Sequence, residues 1–217
     1  MKRSQIVYWL IGIVIAAVFI AVAFYFDGAA RSWIGQHQTR TLKVFMRNVS
    51  RLGDWTEHFA VGIGLLAVAW WRHSKKWIRV FFAMLVALAL AGASARVVKI
   101  AAGRARPSIK TEEVWNGMKL SSRYHAFPSG HVAASTAFFA VVALANWRIG
   151  LLCLPIPLLI GFSRMYVAAH YLSDVVCAAV LGLLCALITT HLLLRKVDPP
   201  PPRLRRTGNG KAAESDG

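Results

Sequence analysis

Charged residues are scarce in this chain. They make up 16% of its 217 residues against a hydrophobic share of 57%, a balance that excludes an ordinary soluble domain. Acidic residues are scarcer still, nine against 26 Lys and Arg, which leaves a formal net charge of +17. A nucleic acid would suit that sign, but no basic stripe with interleaved aromatics and no zinc-ligand spacing accompanies it. Anionic lipid is the better partner, because basic residues beside membrane spans anchor to acidic headgroups. There are only three cysteines, Cys153, Cys177 and Cys185, all inside apolar runs and without a C-x-x-C pair. Neither a disulfide framework nor a zinc site is indicated, and the three read as small core hydrophobes. No internal repeat and no second domain is visible.

What the chain does have is long apolar runs. Residues 7–26 form an uncharged stretch of the length that crosses about 30 Å of hydrocarbon. Lys2 and Arg3 precede it, as in a signal peptide, but signal cores run only about 7–15 residues, so it reads as a retained first span. Further runs lie at 59–71, 80–95, 132–147, 149–162 and 175–194. The expected fold is all-α, a polytopic bundle of about six transmembrane helices. It occupies residues 1–196 and is followed by a disordered cytoplasmic tail, 197–217, with four prolines at 199–202. Trp70, Trp71 and Trp77 bracket the polar turn 72–76, as in an aromatic belt at a membrane interface.

With spans alternating across the bilayer, the polar stretches 27–58 and 103–127 fall on one side. Lys and Arg divide evenly between the two faces until Lys99, Arg106 and Arg164 are set aside as ligand-bound. The remainder then favours both termini in the cytoplasm and the long polar stretches outside.

Three segments place strongly polar residues at span ends, all on that outer face: Lys99-x6-Arg106-Pro107, Pro128-Ser129-Gly130-His131, and Ser163-Arg164-x5-His170-x3-Asp174. Snorkelling at an interface is the ordinary reading for Lys99 or Arg106 alone. Several cations converging on one face beside membrane spans imply instead a resident anion that offsets their repulsion. Phosphate suits the set: Lys99 gives a point charge and Arg106 a forked donor. Ser129 stands where it can cap a helix and offer its hydroxyl, and Gly130 allows close approach. His170 and Asp174 share a helix face four residues apart, so the carboxylate can hold Nδ1–H and present the other nitrogen as nucleophile. His131, from another helix, can protonate a lipid alkoxide, a poor leaving group. A structural His–Asp pair is the bland alternative, and Arg164 six positions upstream counts against it.

These segments resemble the three-part signature of the type 2 phosphatidic acid phosphatase superfamily, K-x6-R-P, P-S-G-H and S-R-x5-H-x3-D, with every element present between Lys99 and Asp174. The resemblance implies that His170 forms a phosphohistidine, Asp174 orients it and His131 protonates the leaving group, after which water hydrolyses the intermediate. It also implies that Lys99, Arg106, Ser129, Gly130, His131 and Arg164 surround the phosphoryl group. No metal or other cofactor is needed, since the cations take the part that magnesium has elsewhere.

The expectation is therefore a lipid phosphatase of a bacterial inner membrane, its site facing outside and its substrate arriving laterally. Isoprenyl diphosphate is the first substrate guess, and phosphatidate, phosphatidylglycerol phosphate and an endotoxin lipid phosphate fit the same pocket. A phosphotransferase using the same intermediate and a catalytically silent anionic-lipid binding or transport module are the alternatives. The vanadium haloperoxidases of the superfamily fit poorly with six hydrophobic spans. Arg104, Lys110, Lys119, Arg123 and His125 are weaker candidates for a headgroup or second phosphate. Trp115 and Tyr124 are expected to floor the site or sit in the aromatic belt. Asp54 and Glu57 show no partner in the sequence. His37, His58, His73 and His191 read as interface or surface residues.

Overall fold

The computed structural model describes residues 3–109 and 111–194, so Lys110 and the tail 197–217 lie outside the described residues. The described residues fold into eight helices: α1 (Arg3–Gln36), α2 (Arg40–Arg51), α3 (Trp55–Trp71), α4 (Lys75–Ala102), α5 (Gly130–Ala145), α6 (Trp147–Cys153), α7 (Pro155–Tyr166) and α8 (Leu172–Leu194). A 3-10 turn, Ser122–Tyr124, interrupts the long segment between α4 and α5. Among the described residues the sole β element is an isolated bridge between Arg104 and Trp115. Among the described residues, four segments are long and apolar enough to cross a bilayer: Ser4–Gln36, Lys75–Ala102, Trp147–Tyr166 and Leu172–Leu194. With the shorter apolar α5, they make a multi-pass membrane protein.

Four of the six apolar runs lie within single helices, and 132–147 breaks at extended Asn146, between α5 and α6. The run 149–162 is divided, because Pro155 has no N–H to continue α6 and starts α7 at its first position. The polar stretch 27–58 is largely helical. α1 continues ten residues past its apolar run, where Asp27 is tied to α8 and Ile34 is buried with Met46 and Tyr166. α2 is amphipathic, turning Met46 and Val49 inward and leaving Arg40, Arg47 and Arg51 exposed. Thr39 caps it, its hydroxyl accepting from the Leu42 N–H at 3.3 Å.

The core lies where α4, α5 and α8 meet, with α3 and α7 packed around them. Lipid offers helices no hydrophobic reward for associating, so close packing of small side chains carries the contact. Ala83, Ala87, Ala91 and Ala95 recur every four residues down α4 and are all buried, facing Ala133 and Ala137 of α5 and Ala178 and Ala186 of α8. Gly182 belongs to that seam, because a Cβ there would stand 2.5 Å from the Ala133 carbonyl oxygen. The outer surface of α1 carries exposed Trp9, Ile13 and Phe19, a lipid-facing stripe.

α4 ends at Gly103, whose φ of 52° is left-handed and whose missing Cβ would fall 1.6 Å from the Gly117 carbonyl oxygen. This reversal sends Arg104 to Arg106 back over the helix ends. Ala126 N–H donates to the Arg104 carbonyl and Arg106 N–H to the Arg123 carbonyl, fixing the long loop across one end of the bundle.

Candidate active site

His170 lies in the link between α7 and α8, just after Ala168, which adopts the left-handed φ of 55° that few non-glycine residues take. The ring is 2% exposed. Its Nδ1 is 2.6 Å from the Ala126 carbonyl oxygen. A carbonyl can only accept, so Nδ1 carries the proton and Nε2 holds the free lone pair. That corrects the expectation that Asp174 takes the Nδ1 proton: the nearest carboxylate oxygen, Oδ2, stands 3.6 Å away, at ion-pair but not hydrogen-bond distance. Burial pushes the His170 pKa down to about 4, with Asp174 opposing the shift and Arg164 and Lys99 adding to it. The ring is neutral at physiological pH.

Asp174, fully buried in the first turn of α8, accepts from the Tyr171 N–H at 2.7 Å through Oδ2 and from Arg104 at 2.5 Å through Oδ1. Its own carbonyl accepts from the Ser129 N–H at 3.1 Å, which ties the start of α5 to the start of α8. Arg104 also reaches Asp27 of α1 at 2.7 Å and Ser173 at 2.7 Å. Its guanidinium lies over the rings of Tyr171, Trp115 and Phe24 at 4.2, 4.7 and 5.5 Å. Arg104 is thus a buried tie between carboxylates, not a headgroup contact, and Trp115 stacks on it. Arg123 is exposed, and buried His125 has Nε2 2.8 Å from the Lys119 carbonyl oxygen.

The three signature segments converge. Arg106, His131 and Arg164 line one polar cavity of about 340 Å³ together with Ser50, Asp54 and two arginines of α2, Arg47 and Arg51. Lys99 Nζ lies 3.1 Å from where a Cβ on Gly130 would project. Lys99, Arg106, His131, Arg164 and His170 lie close enough to feel one another's charge. Arg164 donates to the Ser50 hydroxyl at 2.6 Å. Among the buried side-chain atoms without a hydrogen-bond partner are Arg106 Nε, Ser129 Oγ and Arg164 Nε. Ser129 therefore stands at the N-cap of α5 without making the expected cap bond. Unsatisfied buried polar atoms are uncommon; these three sit on the segments read as phosphate-binding, and the others among the described residues are Arg104 Nε and the hydroxyls of Ser135, Thr189 and Thr190.

Two further residues depart from the sequence reading. Asp54, at the N-cap of α3, has a partner after all: its Oδ1 lies 3.1 Å from His131 Nε2. His58 is buried rather than interfacial, its ring edge-on to Phe138 and Phe139. Neither is detectable from spacing, since 77 positions separate Asp54 from His131.

A second cleft, of about 480 Å³, is walled by Phe59, Leu88, Ala89, Gly92 and Ala134 and reaches Lys99, Gly130, Asp54 and His131 at its polar end.

The family profile described as PAP2 superfamily matches residues 80–198. The chain belongs to that superfamily. Among curated relatives, lipid A 1-phosphatase from Rhizobium johnstonii is 31% identical over 122 residues, 55% of this chain and 49% of that protein. The enzyme of the same name from Rhizobium etli is 30% identical over 122 residues, 55% of this chain and 52% of that one. The chain thus matches about half the length of these relatives. Two solved structures share the fold. A transmembrane PAP2-type phosphatidylglycerolphosphate phosphatase from Bacillus subtilis gives a TM-score of 0.64 at 20% identity, covering 88% of this chain and 96% of that one. Aquifex aeolicus LpxE gives 0.53 at 23% identity, covering 74% and 92%.

Proposed function

We propose that this PAP2 protein hydrolyses the phosphate of a membrane lipid through a phosphohistidine. The observation that carries the reading is the set of buried unpaired donors on Arg106, Ser129 and Arg164, beside a histidine whose Nδ1 is committed to the Ala126 carbonyl. His170 Nε2 attacks phosphorus while the bond to the lipid oxygen breaks. His131 gives that oxygen a proton, and Lys99, Arg106, Ser129, Gly130 and Arg164 hold the phosphoryl oxygens as charge shifts onto them. Water then attacks the phosphohistidine, the N–P bond breaks and inorganic phosphate leaves. Asp174 fixes the segment that carries His170.

The apolar cleft gives a lipid tail a place to remain in hydrocarbon while the headgroup reaches the cations, which supports substrate access from the side. The names of the curated relatives make the 1-phosphate of lipid A the first substrate to test, ahead of isoprenyl diphosphate, phosphatidate and phosphatidylglycerol phosphate. Both termini are assigned to the cytoplasm of a bacterial inner membrane and the site to its outer face.

The test is release of inorganic phosphate by purified protein from those four lipids, each beside His170→Ala and with chelator present. Mutant-sensitive, chelator-resistant release supports the reading and identifies the lipid. Binding without turnover, with the variant indistinguishable from wild type, sinks it; phosphate transfer to a second lipid without release would mark a transferase.

A further inference from the structure

The polar cavity and the apolar cleft have two lining residues in common, Asp54 and His131. A phosphorylated lipid seated with its phosphoryl group in the first and its tail in the second has its bridging oxygen where the two meet. In that pose the pair would stand at the bond that breaks. Asp54 is also the one carboxylate among the residues lining either space.

We infer that Asp54 is a positioning residue for the leaving-group proton: its carboxylate accepts Nε2–H of His131 and turns Nδ1–H of the imidazolium toward the bridging oxygen. This inference rests on the phosphatase reading above. An acid of this kind must be a cation at the moment it gives up its proton, yet Arg106 and Arg164 line the same cavity as His131, and Lys99 lines the same cleft. A carboxylate 3.1 Å from the far nitrogen supplies the opposite charge that an imidazolium needs beside those cations. Gly53, just before Asp54, leaves room for the ring, because a Cβ there would lie 3.3 Å from His131 Cδ2. Asp54 makes no cap bond through its side chain, so its carboxylate is not committed to α3. The proton balance is simple: Nδ1 loses a proton to the departing oxygen, and the neutral ring keeps Nε2–H on Asp54. When water attacks the phosphohistidine, Nδ1 takes a proton from it and the imidazolium is restored.

The experiment compares Asp54→Asn with wild type on two substrates, farnesyl phosphate, whose alkoxide needs protonation, and p-nitrophenyl phosphate, whose phenolate does not. Asn keeps the shape and the helix-capping preference of Asp. The quantity read is kcat/KM, which covers steps only through departure of the leaving group. Loss of general acid catalysis is typically worth about 10²–10⁴-fold, so Asp54→Asn should lower kcat/KM on farnesyl phosphate by about 10²-fold. The loss on p-nitrophenyl phosphate should be far smaller. His131→Ala should reproduce that selectivity, and Asp54→Asn added to it should cost nothing more, because the two groups act as one unit. Asp54→Glu, which keeps a carboxylate, should retain more activity on farnesyl phosphate than Asp54→Asn. Unchanged vanadate inhibition of p-nitrophenyl phosphate hydrolysis would show that the phosphoryl pocket of the variant is intact. Equal losses on both substrates, or a loss that multiplies with that of His131→Ala, would overturn the inference. Absence of phosphate release by the wild type from either substrate would instead remove the phosphatase reading on which it stands.

Discussion

Replacing Arg104 by Met tests how the buried Asp174 carboxylate is held. Met keeps an apolar stem of similar reach and removes the guanidinium. The change strips the 2.5 Å hydrogen bond from Asp174, the 2.7 Å bond from Asp27 and the 2.7 Å bond from Ser173. Asp174 and Asp27 have side chains only 0% and 13% exposed, so two carboxylates near each other lose their shared cation with little water to replace it. Removing one partner of a buried ion pair costs about 3–5 kcal/mol. The cation–π interactions of Arg104 belong to the same guanidinium and do not add to that figure independently. For a chain of this size each kcal/mol moves the midpoint by about 2–4 °C, so the thermal transition in detergent should fall by roughly 6–20 °C. Asp27→Asn in the same background should recover part of that, because it removes one of the two stranded charges. Activity should fall further than stability alone explains, since the first turn of α8 loses its anchor. A shift of less than about 3 °C for Arg104→Met would refute the reasoning, as would Asp27→Asn deepening the loss.

The free His170 ring, held down to about 4 by burial, should place its acid limb in kcat/KM near pH 4 and not near the ordinary histidine value; a limb at about 6.5 would refute that. The same shift has a stability consequence. Between pH 6.5 and about 4 the unfolded chain takes up a proton at His170 that the folded chain does not, so this site withdraws stability as pH falls through that window, readable as a falling thermal midpoint. Gly103→Ala puts a Cβ 1.6 Å from the Gly117 carbonyl in a left-handed backbone and should destabilise by more than about 1 kcal/mol in the same thermal assay. Arg47→Ala with Arg51→Ala removes two cations from the rim of the polar cavity without touching His170; KM for a lipid phosphate should rise, the more so at low salt, while kcat holds.

The helical membrane class is legible in the apolar runs, because hydrocarbon forces helices wherever a segment crosses it. What the runs cannot show is what happens outside hydrocarbon. Residues 27–36 continue α1, and 40–51 form an amphipathic helix, because tertiary partners secure them: Asp27 on Ser173, Ile34 against Tyr166, Thr39 N–H on the Tyr166 hydroxyl. Each of those partners lies more than 100 positions away along the chain. The role of Arg104 is hidden for the same reason. A loop arginine is usually solvated, and only the fold brings Asp27 and Asp174 to either side of it.

The candidate site shows a sharper division between composition and connectivity. The signature supplies the residue types and their common face of the bilayer. It cannot supply the order in which they bond. The four-residue spacing points to Asp174 as the partner of His170, yet the bonds of Asp174 go to the backbone N–H of Tyr171 and to Arg104, and its carbonyl goes to the backbone N–H of Ser129. It therefore joins all three segments: Arg104 from the first, Ser129 from the second, and the turn that carries His170 from the third. The tight acceptor for His170 Nδ1 is a backbone carbonyl, Ala126, an atom that every residue type possesses and that no sequence pattern can mark. An imidazole held by a carbonyl keeps its tautomer without a second full negative charge beside it, which leaves the Asp174 carboxylate free to be neutralised by Arg104. Nearby negative charge would oppose the approach of a phosphate dianion; a carbonyl dipole opposes it less. The arrangement thus leaves Nε2 without a proton, while the anionic partner lies 3.6 Å from Nδ1, the other nitrogen of the ring.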